Sequence, residues 1–109
     1  MISVENIYVG IATALGREQS LTLFENGVVK VERIVSHSYQ SPMDFWYDQP
    51  ESEWVVVLRG EATLEFEGGA IVEMREGDHV MIPSHVKHRV HRTGEQTVWL
   101  AVHVKQTND

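Results

Sequence analysis

Two segments of the chain concentrate the side chains that could do chemistry. Residues 45–60 read FWYDQPESEWVVVLRG and place a carboxylate, Glu53, before an unbroken apolar run that leads to Gly60. Residues 77–90 read GDHVMIPSHVKHRV. Imidazole and carboxylate groups bind divalent metals and also act as general acids and bases. The two segments therefore suggest a metal or small-molecule site inside a small β-barrel. Four of the six histidines fall within thirteen residues, namely His79, His85, His88 and His91.

The elements that must position these residues read as short strands. Residues 61–67 (EATLEFE) alternate strictly, which predicts a half-buried strand, and the apolar run at 53–58 predicts a strand buried on both faces. Gly68-Gly69 predicts a hairpin turn, and Glu25-Asn26-Gly27 predicts another turn, because Asn and Gly both tolerate a positive φ. We also expect a short strand at 45–47 and a last strand at 97–104. Because helical periodicity is almost absent, the pattern predicts an all-β sandwich or barrel.

Length and composition bound the remaining possibilities. The 109 residues predict one domain, 1–109, which we divide into an N-terminal arm (1–20), a barrel (21–104) and a frayed tail (105–109). The net charge of −7, with nine scattered basic residues, argues against nucleic acid as a partner. No apolar run is long enough for a membrane helix, and the N-terminus lacks the charge of a secretory signal. We therefore expect no membrane partner, and we take a cytoplasmic location as the default.

Several chemistries lack their usual signatures. Cysteine is absent, which excludes thiolate metal sites, cysteine nucleophiles and disulfides. The chain also has no Gly-rich phosphate loop before a helix, no GxSxG elbow and no HExxH helix. What remains is chemistry carried by histidine, carboxylate, tyrosine and amide side chains.

Two motifs of the chain resemble those of the cupin superfamily, whose fold is a double-stranded β-helix or jelly-roll barrel. Glu53, the spacer WVVVLR and Gly60 match the second half of the first cupin motif, while Gly77, DHVMI, Pro83 and His88 match the second motif. The resemblance covers residues 45 to 92 and implies a fold with a pocket. It does not imply a substrate.

The chain departs from the cupin pattern at other motif positions. Tyr47 and Gln49 stand where the first motif has its two histidines. His85 stands in place of the glycine of the second motif, and Arg92 in place of its asparagine. The resemblance therefore brings only the glutamate and one histidine of the usual metal set.

Strand alternation gives a hypothesis for the geometry of a metal site. If Glu53 and His88 point into the barrel, Arg92 points inward as well. The turn after Pro83 would let His85 converge with His88, giving two histidines and one carboxylate around a metal with open positions. Gln49 would add a carbonyl oxygen. Divalent iron, manganese, nickel and zinc all suit such a set.

The remaining polar residues are candidates for catalysis or lie outside the site. Tyr47 and Arg92 are the candidate catalytic residues, which would handle protons or substrate charge. We expect His79 and His91 at the surface. On the last strand we expect Val98, Leu100 and Val102 to face inward, which places His103 outside the site.

An apolar stripe opposite Glu53 predicts self-association. Trp54, Val56 and Leu58 are too apolar to leave in water, and with Trp99 they suggest the interface of a homodimer.

Three functions follow from this interpretation. The first is a metal-dependent enzyme that acts on a small organic molecule, such as a dioxygenase, isomerase, lyase or decarboxylase. The second is a non-catalytic module that binds a small molecule or an ion. The third is a metal-free, epimerase-like cupin in which His88 acts as base and Tyr47 as acid.

Overall fold

The chain folds into two antiparallel sheets that face each other. A computed structural model describes residues 2–11 and 15–106. Within these ranges no helix has the length and apolar character needed to cross a bilayer. The strands are β1 (Arg17–Glu25), β2 (Val29–His37), β3 (Ser52–Arg59), β4 (Glu61–Phe66), β5 (Ile71–Arg75), β6 (His79–Ile82), β7 (His88–Thr93) and β8 (Thr97–Val104).

The order of the strands is that of a jelly roll. One sheet has five strands in the order β1-β2-β8-β3-β6, and the other has three in the order β5-β4-β7. All neighbours pair antiparallel. The predicted all-β, double-stranded β-helix architecture is therefore confirmed.

The core lies between the two sheets and follows the predicted alternation. Ala62 and Leu64 of β4 are buried at 2% and 3% exposure, while Glu61 is exposed. The larger cluster also takes Val55 and Val57 from β3. Strand β3 is buried over most of its length, as predicted. On β4 the apolar face is buried as predicted, but the opposite face is wet only in part, because Thr63 is 7% exposed.

The first turn forms as its sequence indicates. The side-chain oxygen of Asn26 accepts hydrogen bonds from the backbone N–H groups of Val28 and Val29, each at 2.8 Å. An asparagine side chain that bonds the backbone two or three residues on is a common turn device. It fixes the hairpin between β1 and β2.

The N-terminal part differs from the predicted arm. Strand β1 begins at Arg17, so the last residues of the expected arm belong to the five-stranded sheet. Within the segment 2–11, residues 7–10 lie against the outer face of β2, where the Arg33 guanidinium donates to the carbonyls of Ile7 (3.0 Å) and Val9 (2.6 Å). Arg33 is 2% exposed as a result. Residues 12–14 and 107–109 lie outside the described part of the chain.

Two predicted strand features are wrong. Residues 45–47 do not form a strand and contribute only a single bridge, between Tyr47 and His88. On β8 the inward residues include Trp99 and His103, not the three aliphatic residues expected there. Both faces of β8 are largely apolar, so alternation alone could not decide which one faces inward.

The position of Trp99 also changes the predicted apolar stripe. Trp99 is 3% exposed and its indole N–H donates to the Ser36 hydroxyl at 3.0 Å inside the fold. It therefore does not join Trp54 on the outer face. Trp54 and Leu58 are half-buried there. The homodimer stays a prediction.

Candidate functional site

A cavity of about 120 Å³ opens between the two sheets. Three carboxylates line it, and all three come from the five-stranded sheet: Glu18 of β1, Glu32 of β2 and Glu53 of β3. Its remaining walls are mainly apolar, with Val55, Leu64 and Ile82 among them. A concave, largely apolar pocket with a few converging polar groups is the usual form of a small-molecule site.

His88 and Glu53 meet inside this cavity, as predicted. The Nε2 atom of His88 lies 3.5 Å from Oε1 of Glu53, and both side chains are about nine-tenths buried. The other ring nitrogen, Nδ1, donates to the carbonyl of Val86 at 2.9 Å. That hydrogen bond fixes the ring and leaves Nε2 directed at the carboxylate.

The pKa of His88 reflects these contacts. Burial lowers it, but the hydrogen bond with Glu53 and the Val86 carbonyl raise it by more, so the net pKa is raised. Gln49 completes the group, because its amide nitrogen donates to Oε1 of Glu53 at 3.1 Å. Three of the four predicted metal ligands therefore lie together in the cavity.

The fourth predicted ligand, His85, does not converge with them. Its side chain is 66% exposed and its Nδ1 lies 2.8 Å from Asp48 Oδ1. The backbone of His85 takes a positive φ of 61°, and its N–H donates to the Gln49 carbonyl at 2.7 Å. The turn after Pro83 thus directs the imidazole outward, and the expected convergence with His88 is wrong.

Arg92 also lies outside the cavity. It pairs with Glu61 at 3.1 Å on the outer surface, where both side chains are about half exposed. The reason is a bulge in β7: Leu64 pairs with Val90 but Thr63 pairs with Arg92, so His91 is an extra residue. A bulge reverses the alternation beyond it. The expectation that Arg92 points inward with Val90 is therefore wrong. His79 and His91 lie at the surface, as expected.

The second buried imidazole of the cavity is His103, which the sequence interpretation had placed outside. Its Nε2 lies 2.8 Å from Oε1 of Glu32, and the two side chains are 10% and 12% exposed. The hydrogen bond with Glu32 raises the pKa of His103, and the same bond lowers the pKa of Glu32. Because His103 is the cross-strand neighbour of Glu53, a correct pairing of β8 with β3 would have revealed it.

Tyr47 and Glu18 form the third polar pair. The Tyr47 hydroxyl donates to Oε1 of Glu18 at 3.2 Å, and the Ser36 hydroxyl donates to Oε2 at 2.8 Å. Burial raises the pKa of Glu18. Burial and the nearby Glu18 carboxylate raise the pKa of Tyr47 above its usual value of 10.0, so the phenol keeps its proton at neutral pH. The Tyr47 ring also stacks on His88, with centroids 5.5 Å apart.

The donor set of the cavity suits a divalent metal only in part. Among residues 2–11 and 15–106, no three His, Cys, Asp or Glu side chains are arranged around a common metal position. His88 and Glu53 supply two ligands. The Val86 carbonyl accepts a hydrogen bond from Nδ1 of His88, as is usual for the second ring nitrogen of a metal-bound histidine. Gln49 can supply a third through its oxygen, since the two ends of an amide exchange by a simple flip. The residues present therefore fit a metal in which Gln49 is the third ligand.

Comparison with known proteins agrees with this fold. The family model described as the cupin domain matches residues 28–103, which is more than half of the chain. The chain therefore belongs to the cupin family. Its two antiparallel sheets form the jelly roll of that family.

Individual relatives differ in how much of the chain they resemble. A protein from Ralstonia eutropha, described as a candidate mannose-6-phosphate isomerase, is 41% identical, with a TM-score of 0.90 over 96% of this chain and 100% of that one. A cupin superfamily protein from Desulfitobacterium hafniense is 16% identical, with a TM-score of 0.75 over 88% of this chain and 84% of that one, and shows the fold alone.

A curated relative adds an activity that belongs to a longer protein. The 3-hydroxyanthranilate 3,4-dioxygenase of Ruegeria pomeroyi is 34% identical over 64 residues, which are 56% of this chain. The match spans only 36% of the dioxygenase.

Proposed function

We propose that this cupin is an enzyme that acts on a small organic molecule with the help of a divalent cation held in the cavity by His88, Glu53 and Gln49. The observation that carries the proposal is the orientation of His88, whose Nδ1 is fixed by Val86 and whose Nε2 faces Glu53 in a buried pocket. Relatives described as a dioxygenase and a candidate isomerase support an enzymatic role.

The protein's own groups suit proton handling. When bound, the cation would polarise an oxygen of the substrate. Tyr47 holds a proton on its hydroxyl at neutral pH, because burial and the Glu18 carboxylate raise its pKa. Glu18 accepts the hydrogen bond that orients this hydroxyl. The walls of the cavity are mainly apolar, which strengthens each electrostatic contact between these groups.

The test is the metal content of protein purified without a histidine tag. We expect near-stoichiometric divalent metal in wild type and its loss in His88→Ala. His85→Ala is the matched control, because His85 lies outside the cavity with its side chain 66% exposed, whereas the side chain of His88 is 7% exposed. We expect this variant to keep the metal. Equal metal content in the His88→Ala variant and wild type would refute the proposal.

A metal-free reaction is the second candidate. Tyr47 stacks on His88 in the cavity, and no preformed cluster of three ionisable metal ligands occurs among the described residues. His88 would then act as base and Tyr47 as acid. Metal-free wild-type protein that keeps full activity after chelation would favour this candidate over the first.

A further inference from the structure

The charge of the cavity is one-sided. Glu18, Glu32 and Glu53 line it, and among the described residues no Lys or Arg does. The basic group next to these carboxylates is Lys30, whose Nζ lies 3.8 Å from Glu32 while its side chain is 42% exposed. At a pH where the imidazoles are neutral, the carboxylates therefore outnumber the nearby fixed cation.

The polar groups of the cavity also leave a hydrogen-bonding position open. His103 is 8% exposed and lines the cavity, and its Nδ1 has no hydrogen-bond partner among the described residues. A buried polar atom without a partner costs free energy that a bound group can recover. The carboxylates point to a ligand in the cavity, and His103 lies in the cavity wall.

The enclosed space limits the size of that ligand. A cavity of about 120 Å³ is close to the roughly 150 Å³ that holds one benzene molecule. A phosphorylated hexose is too large to be enclosed, and its phosphate would meet carboxylates without an Arg or Lys to pair with. The aromatic rings of Tyr47 and Trp99, which also line the cavity, suit an organic cation.

We infer that the cavity recognises the cationic group of a small organic molecule of the ammonium class, and that it rejects phosphate and carboxylate groups. This inference deepens the proposed function, because it takes the same cavity as the site and names the class of its substrate. In this inference the carboxylate of Glu18 lies beside the bound cation. Burial raises the pKa of Glu18, and a cation placed beside it would offset the cost of that burial.

Three probes of matched shape test the charge preference. Choline is the cation, 3,3-dimethylbutan-1-ol is its neutral isostere, and 3,3-dimethylbutanoate is the anion. Binding is measured by calorimetry on chelated protein at pH 8 and constant ionic strength. We expect choline to bind at least about tenfold more tightly than the anion, with the alcohol between them.

Two variants show whether the carboxylates cause the preference. Glu18→Gln removes one charge and should bring choline binding down to that of the alcohol, whereas Glu73→Gln, which lies exposed on β5, should change nothing. If Glu18→Gln does not fold, Glu53→Gln on chelated protein tests the same point. Circular dichroism of each variant checks that it is folded.

The outcomes separate this inference from the proposed function. Anion binding equal to or tighter than choline, equal binding of choline and the alcohol, or no choline binding at millimolar concentration would overturn the inference. None of these results depends on whether wild type retains metal. Conversely, a charge preference in protein that never binds metal would support the inference and refute the metal-dependent function.

Discussion

Gly60 is the glycine whose replacement by alanine should destabilise the fold most. It joins β3 of one sheet to β4 of the other and has a φ of +89°. A Cβ at this position would lie 2.5 Å from the Gln96 carbonyl oxygen and 3.0 Å from the Cα of Thr97. Both are backbone atoms, which cannot move away as the end of a flexible side chain can. Gly60→Ala should therefore be strongly destabilising.

Gly77 provides a control with the same backbone angle and no crowding. Its φ is +90°, and a Cβ there would meet nothing within 4 Å. Gly77→Ala should cost about 1–2 kcal/mol, the usual penalty of a left-handed conformation for a residue with a Cβ. Gly60→Ala should cost this amount plus about 1–3 kcal/mol for overpacking.

Urea unfolding of the two variants, followed by tryptophan fluorescence, to which the buried Trp99 contributes, measures this difference. With an m-value of about 1–3 kcal/mol/M, the midpoint of Gly60→Ala should fall clearly below that of Gly77→Ala, without a change in m. Equal midpoints would refute the reasoning, because they would mean that the backbone angle alone sets the cost.

Three further predictions concern individual side chains. His103→Gln should lose about 3 kcal/mol by chemical denaturation, because it leaves Glu32 buried without its partner. That loss should be largest between pH 4.5 and 6.5. The lowered pKa of Glu32 stabilises the fold above the usual glutamate pKa of 4.5, and the raised pKa of His103 stabilises it below the usual histidine pKa of 6.5. A loss of stability that does not depend on pH would contradict the ion pair. Arg33→Ala should free the segment 2–11 for cleavage in limited proteolysis, and an unchanged cleavage rate would show that other contacts hold it. Arg92→Ala should cost less than about 1 kcal/mol and leave choline binding unchanged, as expected for an exposed ion pair; weakened choline binding would restore its predicted role in the site.

The sequence predicted the structure correctly where composition and local chemistry agree. Strict alternation in β4 predicted its buried face, and the Asn26 turn formed where its side chain could bond the backbone. The spacing around Glu53 and His88 also predicted that these two residues meet. In each case the signal lies within a few residues, or in a motif with fixed spacing.

The errors arose where the outcome depends on partners far along the chain. His103 and Glu32 meet only because β8 pairs with β2, and β8 carries apolar residues on both faces. Arg92 is turned outward by a bulge that no local pattern marks. His85 is directed away by a positive φ at a non-glycine residue. Register, bulges and strained turns are set by tertiary pairing, so the chain's local pattern does not contain them.

The extra residue in β7 has a consequence for how the electrostatic character of the pocket could evolve. His91 is the extra residue, so it and Arg92 both point outward, while Val90 and Thr93 on either side of them are buried. Deletion of His91 would restore plain alternation and leave the guanidinium on the outer side, because Arg92 would then follow the inward Val90 directly. A relative that lacked the bulge but kept an arginine two residues after that valine would instead present a positive charge to its ligand.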